Sequence, residues 1–149
     1  MRSLCDKQAD KYNYIQIVFG GSDMMDRKDL IKYIIDNYGT EPDYPWDKYP
    51  AYEVFRHSGN NKWFALIMDV SKNKLGLKGS GKIDIVNLKC DPIIGGSLRN
   101  GAGIFPAYHM NKENWVTVAL DGSAPDDTIK MLLDISYDAT VPKIRPKRR

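Results

Sequence analysis

From residue 52 to residue 90 the chain is punctuated so tightly that its strands can only fold back on one another. Three runs rich in β-branched and aromatic residues occupy 52–56, 62–70 (KWFALIMDV) and 82–90 (KIDIVNLKC). Parallel neighbours need a crossover of about a dozen residues or more. Neither 57–61 (HSGNN) nor 71–81, broken by its own turns at 71–74 and 79–81, leaves room for one. Residues 75–77 read as a further short strand between those turns. In 82–90 the apolar Ile83 and Ile85 alternate with polar neighbours on the period of a half-buried strand, with Leu88 a further apolar position. An antiparallel meander is therefore predicted.

Helices are predicted on either side of this meander. In 26–38, Leu30, Ile34 and Tyr38 repeat at helical spacing with Ile31 and Ile35 beside them, giving one apolar stripe. Asp26 is a good N-cap, Asp29 is its capping-box partner, Met25 and Leu30 occupy the staple positions, and Gly39 supplies a left-handed stop. The Pro-rich, aromatic stretch 40–50 (TEPDYPWDKYP) reads as an ordered irregular loop. Asp91 and Pro92 suit the start of a short helix over 93–100, which Gly95-Gly96 weakens. Residues 101–114 read as a loop, 115–120 (WVTVAL) as a strand and Asp121-Gly122 as a turn. Ser123 or Ala124 then caps a last helix with Pro125 in its first turn and the stripe Ile129, Leu132, Leu133, Ser136 and Tyr137. Without βαβ alternation, an α+β fold follows, with helices packed on one face of an antiparallel sheet.

At 149 residues the chain suits one domain, placed at 25–141. Residues 1–24 read as an extension, with 12–19 (YNYIQIVF) as an extra strand, and the tail 142–149 (PKIRPKRR) as disordered. No run of about 18 apolar residues exists, so no membrane association is expected. The first residues lack the apolar core of a secretory signal, which makes the cytoplasm the expected compartment. Cys5 and Cys90 match no metal spacing and are expected to be reduced thiols.

The net charge of +3 hides a segregated distribution. Residues 56–118 carry nine Lys/Arg against four acids, and the tail 142–149 carries five with none. Residues 1–55 carry seven against ten, and 119–141 one against five. A phosphate backbone responds to local fields, so the middle of the chain and its end are where a polyanion would be met. The plain alternative is that solvated strand faces happen to be Lys-rich.

Catalytic patterns are weak. GLKGSG at 76–81 has neither a Walker spacing nor a strand-to-helix setting and suits a hairpin turn. His57 and His109 stand in no ligand motif, Asp126-Asp127 are explained by the helix dipole, and a Cys90–His109 nucleophilic pair has no local support. No catalytic residue, metal site or cofactor is predicted. The segment 104–115 (IFPAYHMNKENW) differs: it gathers Phe105, Tyr108, His109, Asn111 and Lys112 into an irregular loop, where recognition groups are commonly held. Its structural alternative is a long connection anchored by Phe105, Tyr108 and Trp115.

The ordered string Tyr44-Pro45-Trp46, Tyr52-Glu53-Val54-Phe55-Arg56, Asn61-Lys62-Trp63-Phe64-Ala65, Leu88-Lys89-Cys90-Asp91-Pro92, Tyr108-His109-Met110-Asn111-Lys112, Trp115-Val116 and Ser136-Tyr137 resembles the MmcQ/YjbR family from about residue 25 to 140. That family is described as DNA-binding with a double-wing motif and folds like the frataxin/CyaY proteins. Asn61 replaces the Gly usual before the second strand, and Trp63 replaces a smaller or thioether side chain; neither threatens the fold. The resemblance implies hairpin wings beside helices and DNA as partner.

The reading that unites these features is a non-enzymatic DNA-binding module, expected as a monomer. Lys62, Lys72, Lys74, Lys78, Lys82, Lys89, Arg99 and Lys112 would meet phosphates, and Tyr108, His109 and Asn111 would meet bases or sugars. The alternative is an interaction or metal-delivery protein of the frataxin kind. A frataxin-type iron surface needs an acidic ridge, and Asp26, Asp29 and Asp36 are interleaved with Arg27, Lys28 and Lys32.

Overall fold

A computed structural model describes residues 25–98 and 101–143. The element order is α1 (Arg27–Tyr38), β1 (Glu53–Arg56), β2 (Trp63–Ser71), β3 (Lys82–Lys89), α2 (Pro92–Leu98), β4 (Ile104–Pro106), β5 (Trp115–Ala119) and α3 (Asp126–Thr140). The strands form one antiparallel sheet in the order β1-β2-β3-β5-β4, so the α+β fold expected from the sequence is the fold observed. The chain passes the β5 position, lays down β4 as the outer edge, and returns to fill the gap.

Helix α1 carries the full capping box: Asp29 N–H donates to the Asp26 carboxylate at 2.9 Å, and Asp26 N–H donates to that of Asp29 at 3.3 Å. Gly39 ends it at φ 63°. The cap of α3 differs from expectation. Pro125 is its N-cap, while Ser123 N–H and Oγ donate to Asp121 at 3.0 and 2.5 Å and close the preceding turn. Asp126 accepts Met25 N–H at 3.0 Å, tying the starts of α1 and α3 together.

Two further expectations are corrected. Residues 75–77 are not a strand: a 3₁₀ turn runs Lys72–Leu75, and Gly76 stops it in the left-handed region. Leu75 and Leu77 fold down onto the sheet, and burial at i and i+2 mimics a strand's alternation. The 101–114 loop contains the short strand β4. The predicted extra strand at 12–19 lies outside the described residues, as do residues 144–149 of the tail; Pro142 packs on the β1–β2 turn, where a Cβ on Gly59 would meet its Cγ at 2.8 Å.

One sheet face is covered by the helices. Leu30 and Ile34 of α1 and Ile129, Leu132 and Leu133 of α3 bury against Phe55, Phe64, Ile67, Val86 and Leu88. Ser136, set in that apolar stripe, donates to Phe64 O at 2.5 Å and accepts from Lys89 N–H at 2.8 Å, fastening α3 to two strands. The other face, Val54, Leu66, Met68, Val70, Ile83, Ile85 and Ala119, has no α-helix over it among the described residues. Irregular segments cover it instead, contributing Trp46, Tyr52, Leu75, Leu77, Tyr108 and Met110. This loop-covered face carries the candidate site. Among the described residues no helix is long and apolar enough to cross a membrane.

Candidate nucleic-acid interface

The segment singled out at 104–115 is held by a buried polar triangle. Tyr108 N–H donates to Thr117 Oγ at 2.8 Å, Thr117 Oγ donates to Asn87 Oδ1 at 2.5 Å, and Asn87 Nδ2 donates back to Tyr108 O at 3.0 Å. Asn87 and Thr117 are fully buried cross-strand partners on β3 and β5. A buried amide and hydroxyl would be costly alone. Here each satisfies the other while fixing the backbone of Tyr108 over the sheet. His109 follows in the left-handed region at φ 58°, with its ring 4.0 Å from that of Tyr108. The Asn111 carboxamide accepts Glu113 N–H at 2.8 Å and so shapes the loop itself.

Beside this anchor the 71–82 wing approaches from the other end of the face. Lys74 and Leu75 of the wing and Phe105, Tyr108 and Lys112 of the loop line one cleft of about 250 Å³. Lys74 and Lys78 are exposed and, among the described residues, have no carboxylate at ion-pair distance. Cations beside aromatic surface match the two parts of a nucleotide.

The remaining predicted cations are dispersed. Lys82 pairs with Asp69 at 3.3 Å. Lys72 lies near Asp121; burial pushes that carboxyl up, but hydrogen bonds from Ser123, aided by Lys72, hold it below its usual range. Lys62 follows the β1–β2 turn and Lys89 ends β3, seven residue steps and about 23 Å from Lys82. Strand alternation also puts Lys82 and Lys89 on opposite faces. Arg99 lies outside the described residues. The structure thus brings Lys74, Tyr108 and Lys112 together, keeps Lys78 in the same wing, and leaves Lys62 and Lys89 at the far end. The helix side has the opposite sign: α3 exposes Asp127, Asp134 and Asp138.

Sequence reasoning missed two features. Arg27 donates to Glu53 at 2.9 Å and to Asp84 at 3.1 Å, linking α1 to β1 and β3. Burial pulls its guanidinium down, but the two carboxylates outweigh that and raise it above its ordinary value. The second is an aromatic layer on the loop-covered face. Trp46 meets Trp63 edge-on at 5.5 Å, Tyr49 stacks on Tyr52 at 4.7 Å, and the Arg56 guanidinium lies 5.4 Å from the Trp63 ring. The aromatic run in 40–52 was the available signal.

The structure does not join Cys90 to His109. Cys90 is buried with the helix-side core, whereas His109 is exposed on the loop over the other face. Burial, with Asp91 adding to it, pushes the Cys90 thiol above its ordinary value, away from a thiolate nucleophile. Among the described residues, no three His, Cys, Asp or Glu side chains form a group able to hold a metal ion.

Comparison with known proteins places these features in context. The model of the family described as YjbR matches residues 35–139. The YyaQ protein of Bacillus subtilis (strain 168) is 50% identical over 117 residues, covering 78% of this chain and 99% of that protein. The YjbR protein of Escherichia coli (strain K12) is 40% identical over 65 residues, 43% of this chain and 55% of that one. A crystal structure of a Pseudomonas syringae protein superposes with a TM-score of 0.77 at 47% identity, covering 78% of this chain and 100% of its own. The DUF419 domain of Deinococcus radiodurans protein DR2400 gives 0.56 at 29% identity, over 76% and 77% of the two chains.

Proposed function

The chain belongs to the YjbR family, and on that footing we propose that it is a non-enzymatic DNA-binding module whose contact surface is the cleft between the 71–82 wing and the 107–114 loop. The observation that carries this reading is the convergence of Lys74 and Lys112, from separate hairpins, on a cleft lined by Phe105 and Tyr108. Ammonium groups there would neutralise phosphates, with Lys78 extending the contact along the wing. The Tyr108–His109 ring pair would lie against sugar or base. Contacts made mostly to phosphate give modest affinity and little sequence preference, and they weaken steeply with salt. The tail 142–149, with five cations and no acid, adds the same sequence-blind attraction.

Fluorescence anisotropy with a labelled duplex at low salt tests this. Lys74→Glu/Lys112→Glu should remove most of the binding, whereas Lys32→Glu/Lys130→Glu on the helix side should leave most of it. Absence of binding by the unmodified protein, or equal loss in both variants, would exclude the assignment.

A further inference from the structure

A second cleft, of about 500 Å³, opens at the other end of β2 from the wing, where α1 and α3 both terminate. Tyr38, Glu41, Arg56, His57, Ser58 and Tyr137 line it. His57 is only 5% exposed. Its Nε2 lies 3.0 Å from Tyr137 O and 2.8 Å from Thr140 Oγ. A carbonyl oxygen only accepts, so the neutral ring carries its proton on Nε2 and keeps a lone pair on Nδ1. No atom of the described residues donates to Nδ1. Among those residues no fully buried side-chain nitrogen or oxygen lacks a partner, so Nδ1 is not sealed from solvent, and the cleft that His57 lines is the open space beside it.

The surroundings specify what could donate to it. Two helix C-termini direct partial negative charge here. Glu41 lines the cleft, Asp134 accepts the Tyr38 hydroxyl, and Asp138 lies nearby. Arg56 is already bound to Asp43 at 2.9 Å, and Lys143 lies just past Pro142 at the rim. Among the described residues at this cleft, acids thus outnumber cations. The Tyr38 and Tyr137 rings, 4.5 Å apart, add electron-rich surface of the kind that attracts ammonium groups. The volume lies in the range of small-molecule sites. We propose that this cleft binds a small organic ammonium ion, whose N–H donates to His57 Nδ1 while its charge is met by Glu41 and the tyrosine rings.

The test is ¹⁵N NMR of the imidazole nitrogens of the full chain at about pH 8, where an ordinary imidazole is neutral. Putrescine is the ammonium probe and succinate the anionic control. A saturable shift of the His57 Nδ1 resonance with putrescine alone is expected. Glu41→Gln, on an exposed residue, should weaken it on the order of threefold, the scale of one exposed ion pair. No saturable shift, an equal one with succinate, or undiminished affinity in Glu41→Gln overturns the proposal. None of these outcomes bears on DNA binding at the Lys74 cleft.

Discussion

Replacing Asn87 with Ala would cut the polar triangle beneath the candidate interface. The change orphans two buried groups, the Thr117 hydroxyl and the Tyr108 carbonyl, which Asn87 engages at 2.5 and 3.0 Å. At about 1–3 kcal/mol per orphaned group, the loss is about 2–6 kcal/mol before relaxation. The 107–114 loop lies at the surface and can carry the Tyr108 carbonyl to water, so the lower end, about 2–3 kcal/mol, is expected. In a chain of this size that lowers Tm by about 4–12 °C. Thr117→Val should cost a similar amount by orphaning Tyr108 N–H and Asn87 Oδ1 instead. Asn87→Ala/Thr117→Val should cost less than the sum of the single changes, because removing both buried side-chain partners leaves only backbone groups to resolvate. Urea unfolding gives the energies, and hydrogen exchange at the Tyr108 amide reports release of the loop. A loss under about 0.5 kcal/mol in both single variants, or strict additivity in the double one, would refute the triangle as the loop's anchor.

Other consequences follow from the same geometry. Gly103→Ala places a Cβ 2.5 Å from Ser123 Oγ and 2.6 Å from Ala124 N at φ 74°, so urea unfolding should show a loss above about 2 kcal/mol. Gly76→Ala, at φ 72° in open space, should cost only about 1–2 kcal/mol. Asp121 has a depressed pKa in the fold, so its contribution is present above the unfolded value of about 3.9 and lost as pH falls through the folded one; Asp121→Asn should flatten that acid limb of a urea-midpoint profile. Cys90 is buried with a raised thiol pKa, so peptide mapping after iodoacetamide treatment should find it labelled about tenfold or more slowly in the folded chain than in urea.

What the sequence reveals divides by the distance over which each feature is decided. The capping box of α1 is local, and Asp26, Asp29 and Gly39 are legible at once. The meander is equally so, because its turns are too short for any crossover. The start of α3 lies beyond the expected Ser123 or Ala124 cap because the Ser123 amide and hydroxyl both donate to Asp121 and close the turn before the helix begins. Leu75 and Leu77 alternate like strand residues only because both drop onto the sheet from a 3₁₀ turn. The Asn87–Thr117–Tyr108 triangle joins three segments of the chain that only the insertion of β5 between β3 and β4 brings together. For the same reason charge counting found a basic middle region but not which lysines meet. Lys82 is neutralised across a strand pair by Asp69, while Lys74 gains Lys112 through a fold-back that no local pattern encodes.

The salt dependence of duplex binding measures the proposed interface most directly, since each neutralised phosphate contributes about −0.9 to the slope of log affinity against log salt. Comparison of the unmodified chain with Lys74→Gln/Lys112→Gln should show the slope fall in magnitude by about 1.8. An unchanged slope, or no retention of duplex at the lowest salt, would contradict the interface described.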